Sequence, residues 1–96
     1  MWKEHVCKDG LRTLYADIGG LAFAVEQVRP TPLPLWRLWV ELPDGTALRT
    51  YGCKVDAELW QRRAEQIGAQ YAASVLFDFT AQPERWSREA LEQDGH

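Results

Sequence analysis

The chain has 96 residues, 46% of them hydrophobic and 26% charged, with a formal net charge of −3. This composition excludes a disordered or collagen-like chain, and one domain of this size, residues 1–96, buries roughly 65% of its unfolded surface, enough for a single two-layer core. The acidic balance opposes non-specific binding to nucleic acid or anionic lipid, although arginine supplies eight of the eleven cations and a local arginine patch can override the global sign.

Asp9-Gly10 is a hairpin signal between Trp2–Cys7 and Leu11–Ile18, and Gly19-Gly20 is a second. A two-residue turn at Gly19-Gly20 sets Ile18 against Leu21, Ala16 against Phe23 and Leu14 against Val25, all on one face. Thr13, Tyr15 and Asp17 then share the opposite face with Ala22, Ala24 and Glu26. Residues 29–35 carry Pro30, Pro32 and Pro34, which donate no ladder hydrogen bonds, so the segment reads as a stiff crossover. Its spacing resembles a PxxP ligand only superficially.

Trp36 and Trp39 lie three residues apart in Leu35–Leu42, so on a strand they point to opposite faces. Pro43-Asp44-Gly45 suits a three-residue hairpin loop with a left-handed glycine. It pairs Leu42 with Thr46, Val40 with Leu48, Leu38 with Thr50 and Trp36 with Gly52 on the inner face. The outer face then pairs Trp39 with Arg49 and Arg37 with Tyr51, two cation–aromatic contacts. A two-residue loop would set Leu48 against Glu41 and mix the faces.

Asp56 reads as a helix N-cap with Glu58 in the first turn, and Trp60, Ala64, Ile67 and Tyr71 follow at helical spacing. The helix is expected to end between Gly68 and Ala73, with a short strand over Ser74–Thr80; one long helix into Leu76 is the alternative. Pro83 suits the first turn of a last helix, about 83–93, in which Glu84–Arg88, Arg85–Glu89 and Arg88–Glu92 are spaced i,i+4. These elements predict an α+β domain. A four- to five-stranded antiparallel sheet, mostly a meander, carries one main helix on one face and a short C-terminal helix. The expected core is Leu14, Phe23, Val25, Trp36, Leu38, Val40, Trp60, Ile67 and Phe77.

Catalytic signatures are missing. There is no GxGxxG, phosphate loop, GxSxG or HExxH. His5 and Cys7 share a strand face and Cys53 is a third soft donor, but a structural zinc site wants four ligands in close-spaced pairs, so neither metal nor cofactor is expected. A Cys7–Cys53 bridge would need the two strands to meet, and such bridges are rare in the cytosol. Asp17, Glu26, Glu41 and Asp78 are available carboxylates. Asp78, between Phe77 and Phe79, either takes a raised pKa beside apolar surface or, more simply, points to solvent. Without a leader-like start or a run of about 18 apolar residues, a cytoplasmic location is expected and no membrane contact.

The remaining constellation is Arg37, Trp39, Arg49 and Tyr51. Aromatic and arginine side chains are enriched at interface hot spots. The expected function is therefore a non-enzymatic protein–protein interaction module. It would act as a homodimer or as a small accessory or inhibitor protein of the kind carried by phages and other mobile elements. Single-stranded nucleic-acid binding through the same face is the alternative, disfavoured by charge. A third is a small-molecule or enzymatic cleft between sheet and helix lined by Tyr15, Asp17 or Asp78.

Overall fold

The computed structural model describes residues 1–29 and 33–88. The strands are β1 (Lys3–Val6), β2 (Arg12–Ile18), β3 (Leu21–Arg29), β4 (Leu35–Glu41), β5 (Ala47–Thr50) and β6 (Trp86–Ser87), with helix α1 (Ala57–Ala73) between β5 and β6. They form one six-stranded sheet in the order β1-β2-β3-β4-β5-β6, antiparallel throughout. This is the expected α+β meander with one main helix, with a strand count of six.

The β2–β3 hairpin has the expected register, Ile18 against Leu21, Ala16 against Phe23 and Leu14 against Val25. Gly19 and Gly20 take φ of 64° and 93°, as the two-residue turn requires. In the β4–β5 hairpin Val40 faces Leu48 and Trp39 faces Arg49, and the Leu42 N–H donates to the Thr46 carbonyl at 2.8 Å.

That ladder breaks at Thr50. The Leu38 N–H donates to Thr50 Oγ1 (3.2 Å), and this hydroxyl donates to the Gly52 carbonyl (3.0 Å). The local side-chain bonds displace the backbone pairing. Trp36 consequently pairs with Lys54, through two 2.8 Å bonds, and not with Gly52 as its register implied.

Asp56 caps α1, its Oδ1 accepting from the Glu58 N–H at 3.0 Å. Trp60, Ala64, Ile67 and Gly68 are the buried stripe. They pack on Leu21, Phe23, Val25, Trp36, Leu38, Val40 and Leu48. The Trp60 Nε1–H donates to the Trp36 carbonyl at 2.8 Å, inside this layer. Helix and hairpin touch backbone to backbone. A Cβ on Gly68 would lie 2.5 Å from Ile18 Cγ2 and 2.9 Å from the Ile18 carbonyl oxygen. No side chain fits there.

The helix ends at Ala73, but Ser74–Thr80 is not a strand. A turn leads into a 3-10 helix, Phe79–Ala81, capped by Asp78, which accepts from the Thr80 N–H (2.9 Å) and hydroxyl (2.8 Å). The rings of Tyr71, Phe77, Phe79 and Trp86 stack edge to face in a chain, at 5.6, 4.9 and 5.4 Å between successive centroids. Phe79 is buried, whereas Phe77 and Leu14, both expected in the core, pack at its margin.

The helix expected over 83–93 is also corrected. Trp86 and Ser87 pair with Thr50 and Arg49 as β6, and 89–93 fall outside the described residues. The reason lies in Glu84. Its carboxylate is held by both Nε and Nη2 of Arg63, whose Nη2 also donates to Gln82 Oε1 at 2.7 Å. With its side chain committed to α1, Glu84 is withdrawn from an i,i+4 pair with Arg88. The Arg63–Glu84 pair is largely shielded from water. Arg63→Ala is expected to cost about 1.5–3 kcal/mol, as for hydrogen bonds to charged groups. Arg62→Ala, which breaks only the exposed i,i+4 pair with Glu58 (3.7 Å), should cost less than about 0.5 kcal/mol. Urea denaturation of the two variants side by side checks the contrast, and equal losses would refute it.

Candidate functional site

Strand alternation divides the sheet into a helix side and an open side. Both α1 and the 3-10 helix pack on the first. On the second, one row of cross-strand neighbours runs over all six strands: Lys3, Tyr15, Ala24, Trp39, Arg49 and Ser87. A row on one side reads His5, Thr13, Glu26, Arg37, and a row on the other Asp17, Ala22, Glu41, Ala47. Alanines stand at 22, 24 and 47 near Trp39, which is half-buried on this face.

The expected constellation is partly assembled. The Arg49 guanidinium lies over the Trp39 ring, 5.8 Å from its centroid. Arg37 is on the same face but does not meet Tyr51. Its Nε pairs with Glu26 at 3.1 Å, and Arg49 Nη1 approaches the same carboxylate oxygen at 3.7 Å. Tyr51 lies past the break at Thr50, where its N–H donates to the Arg85 carbonyl (3.1 Å) and its ring carries the Arg85 guanidinium at 4.9 Å. Tyr15, 44% exposed, is the tyrosine of this row, two strands from Trp39 with Ala24 between them. Its face was readable from the β2–β3 register. Its nearness to Trp39 follows from the β3–β4 pairing, for which the sequence carries no turn signal.

The other four tryptophans have duties on the helix side. Trp36 and Trp60 are core, Trp86 closes the ring chain, and Trp2 donates to Glu65 of α1 at 3.1 Å. The Trp86 Nε1–H is buried without an acceptor among the described residues.

Two concave regions stand out among the described residues, and α1 lines neither. One, of about 650 Å³, is walled by Leu42, Leu48, Phe77, Phe79 and Trp86, with Asp44, Asp78, Arg85 and Arg88 among its polar groups. The other, of about 370 Å³, lies between the β2–β3 turn and the β4–β5 loop and includes Asp17 and Glu41. Of the polar residues considered for a cleft, Asp78 lines the first region and Asp17 the second, and Tyr15 lines neither. Asp78 is exposed, and the Thr80 hydroxyl and N–H hold its pKa below the ordinary value. The Thr46 N–H and hydroxyl do the same for Asp44. Both are carboxylates at neutral pH and poor proton donors, contrary to the raised pKa considered for Asp78.

Cys7 and Cys53 are exposed free thiols. Among the described residues no three His, Cys, Asp or Glu side chains converge as a metal site, and no helix is long and apolar enough to cross a membrane. Comparison with protein-family models, with curated proteins and with solved structures finds no match to this chain.

Proposed function

We propose that the protein is a non-enzymatic interaction module that docks another protein, or a second copy of itself, through the open face of its sheet. The observation that carries this reading is the six-strand row with Trp39 at its centre, set between Ala24 and Arg49 on the side that α1 leaves bare. An aromatic–arginine pair on a flat face is the composition of an interface centre. A role as a small accessory or inhibitor protein fits such a surface.

The charge arrangement favours protein over nucleic acid. Lys3, Arg37 and Arg49 share the face with Asp17, Glu26 and Glu41, and both arginines engage Glu26. A polyphosphate strand needs uncompensated cations along its path. Trp39→Ala and Tyr15→Ala should each weaken association with the bound protein at least about tenfold, the loss of about 1.4 kcal/mol expected at a hot spot, with unchanged circular dichroism. Affinity capture with the tagged full chain, and light scattering for self-association, read this. Binding indifferent to both substitutions would remove the open face from consideration.

A further inference from the structure

We infer that residues 74–87 form a strap that releases from the sheet as one unit while β1–β5 and α1 stay folded, so that access to the edge of β5 is gated.

The strap is held to the body at a few points. Its backbone meets β5 through the two pairs of β6, Trp86 with Thr50 and Ser87 with Arg49. The Arg85 carbonyl adds a third, accepting from the Tyr51 N–H at 3.1 Å. Arg63 of α1 grips the strap from the other side through Gln82 and Glu84. Within 74–87 Phe79 alone is buried. The core from Leu21 and Val25 to Trp60 and Ile67 belongs to the sheet and α1, and α1 packs on β2, β3 and β4. Removing the strap leaves those two layers facing each other.

The parts of the strap are tied to one another. Asp78 accepts from the Thr80 N–H and hydroxyl. The Ala81 N–H donates to the Asp78 carbonyl and the Gln82 N–H to the Phe79 carbonyl, both at 3.2 Å. The rings of Phe77, Phe79 and Trp86 follow one another edge to face. A segment bonded in this way opens cooperatively. Its hinge lies at 74–76, where Val75 and Leu76 are 100% and 86% exposed, so turning there uncovers no apolar surface.

The docked strap also carries a defect. The Trp86 Nε1–H is buried with no acceptor among the described residues. A buried donor without a partner forfeits its bond to water, and release restores that bond. Opening therefore requires less free energy than it would for a strap with every polar group paired. The edge it bares, with the Tyr51 N–H freed, is a template for another extended chain only while the strap is off.

The test is native-state hydrogen exchange of the full chain, read residue by residue by NMR in low, increasing urea. The Tyr51, Ala81 and Gln82 amides report the strap, and the amides of β3 and β4 report the body. The strap amides should exchange together, at least about tenfold faster than the body, with a shallow urea dependence against a steep one for β3 and β4. Arg63→Ala should speed the strap amides at least about tenfold. Val25→Ala, in the body, should speed the β3 and β4 amides and leave the strap amides unchanged. One rate and one urea slope for both groups in wild type would mean that the strap opens only with the whole protein, and overturns the inference. Equal acceleration of both groups by Val25→Ala, or strap amides indifferent to Arg63→Ala, overturns it too.

Discussion

Gly68→Ala should lower stability by about 1–3 kcal/mol, although alanine is the better helix former by about 1 kcal/mol. Position 68 lies inside α1, where propensity alone predicts a gain. Space decides the sign. The new methyl would fall 2.5 Å from Ile18 Cγ2 and 2.9 Å from the Ile18 carbonyl oxygen. A side-chain tip can rotate away, but the carbonyl belongs to the end of β2 and the two-residue turn, so helix and hairpin must separate. Relief by separation opens the layer around Ile67. Ala69→Gly, an exposed change one residue away, should also destabilise, by about 1 kcal/mol from propensity alone. Opposite substitutions at adjacent positions would thus both lose stability in guanidinium denaturation. A stabilised Gly68→Ala would show that helix and turn do not approach so closely.

Trp60→Ala is expected to cost about 3–5 kcal/mol, and Trp60→Phe only about 1 kcal/mol beyond its smaller area. Trp60 is buried where α1 crosses Trp36 and Leu38, and alanine leaves a cavity that the sheet cannot collapse to fill. Phenylalanine keeps most of the packing and forfeits the 2.8 Å bond to the Trp36 carbonyl. That carbonyl also accepts from the Lys54 N–H at 2.8 Å, so it is not orphaned and the loss stays at the low end. The Lys54 ammonium, 4.7 Å from the indole centroid, adds about 0.5–1 kcal/mol that phenylalanine retains in part. Chemical denaturation of both variants separates burial from hydrogen bonding. Equal losses for alanine and phenylalanine would place the energy in the hydrogen bond.

Local chemistry was legible in the sequence and distant partnerships were not. The β2–β3 register was readable because the Gly-Gly turn and the alternating residues agree, and Asp56 announced α1 by the side chain that caps it. Trp39 and Arg49 were found together because they belong to one hairpin. Arg37 and Tyr51 were paired by the same rule and wrongly, since the Thr50 hydroxyl ends the ladder one residue earlier and Glu26 takes Arg37. Glu26 lies across the proline-bearing connection between the adjacent strands β3 and β4, where nothing in the linear chain fixes the pairing. The C-terminal helix failed for a related reason. Pro83 and the i,i+4 spacing are sound helix signals, but the acceptor that Glu84 requires sits 21 residues earlier, on α1. Phe77, Asp78 and Phe79 alternate as a strand would, while Asp78 spends its carboxylate on a cap.

The short β6 has a consequence for how the protein survives at high concentration. Five strands follow one another through brief connections and can pair as the chain collapses, whereas β6 joins only after residues 51–85 have formed α1 and its return. Closing that longer excursion costs more chain entropy than closing the short turns, by about 0.6 kcal/mol per doubling of loop length. Until then β5, with Ala47, Leu48 and Thr50 buried in the finished fold, is a bare sheet edge. Two residues suffice to cover it, and a strand that short offers little template to another chain. The Arg63–Glu84 clamp that holds the return segment therefore also guards against edge-to-edge aggregation.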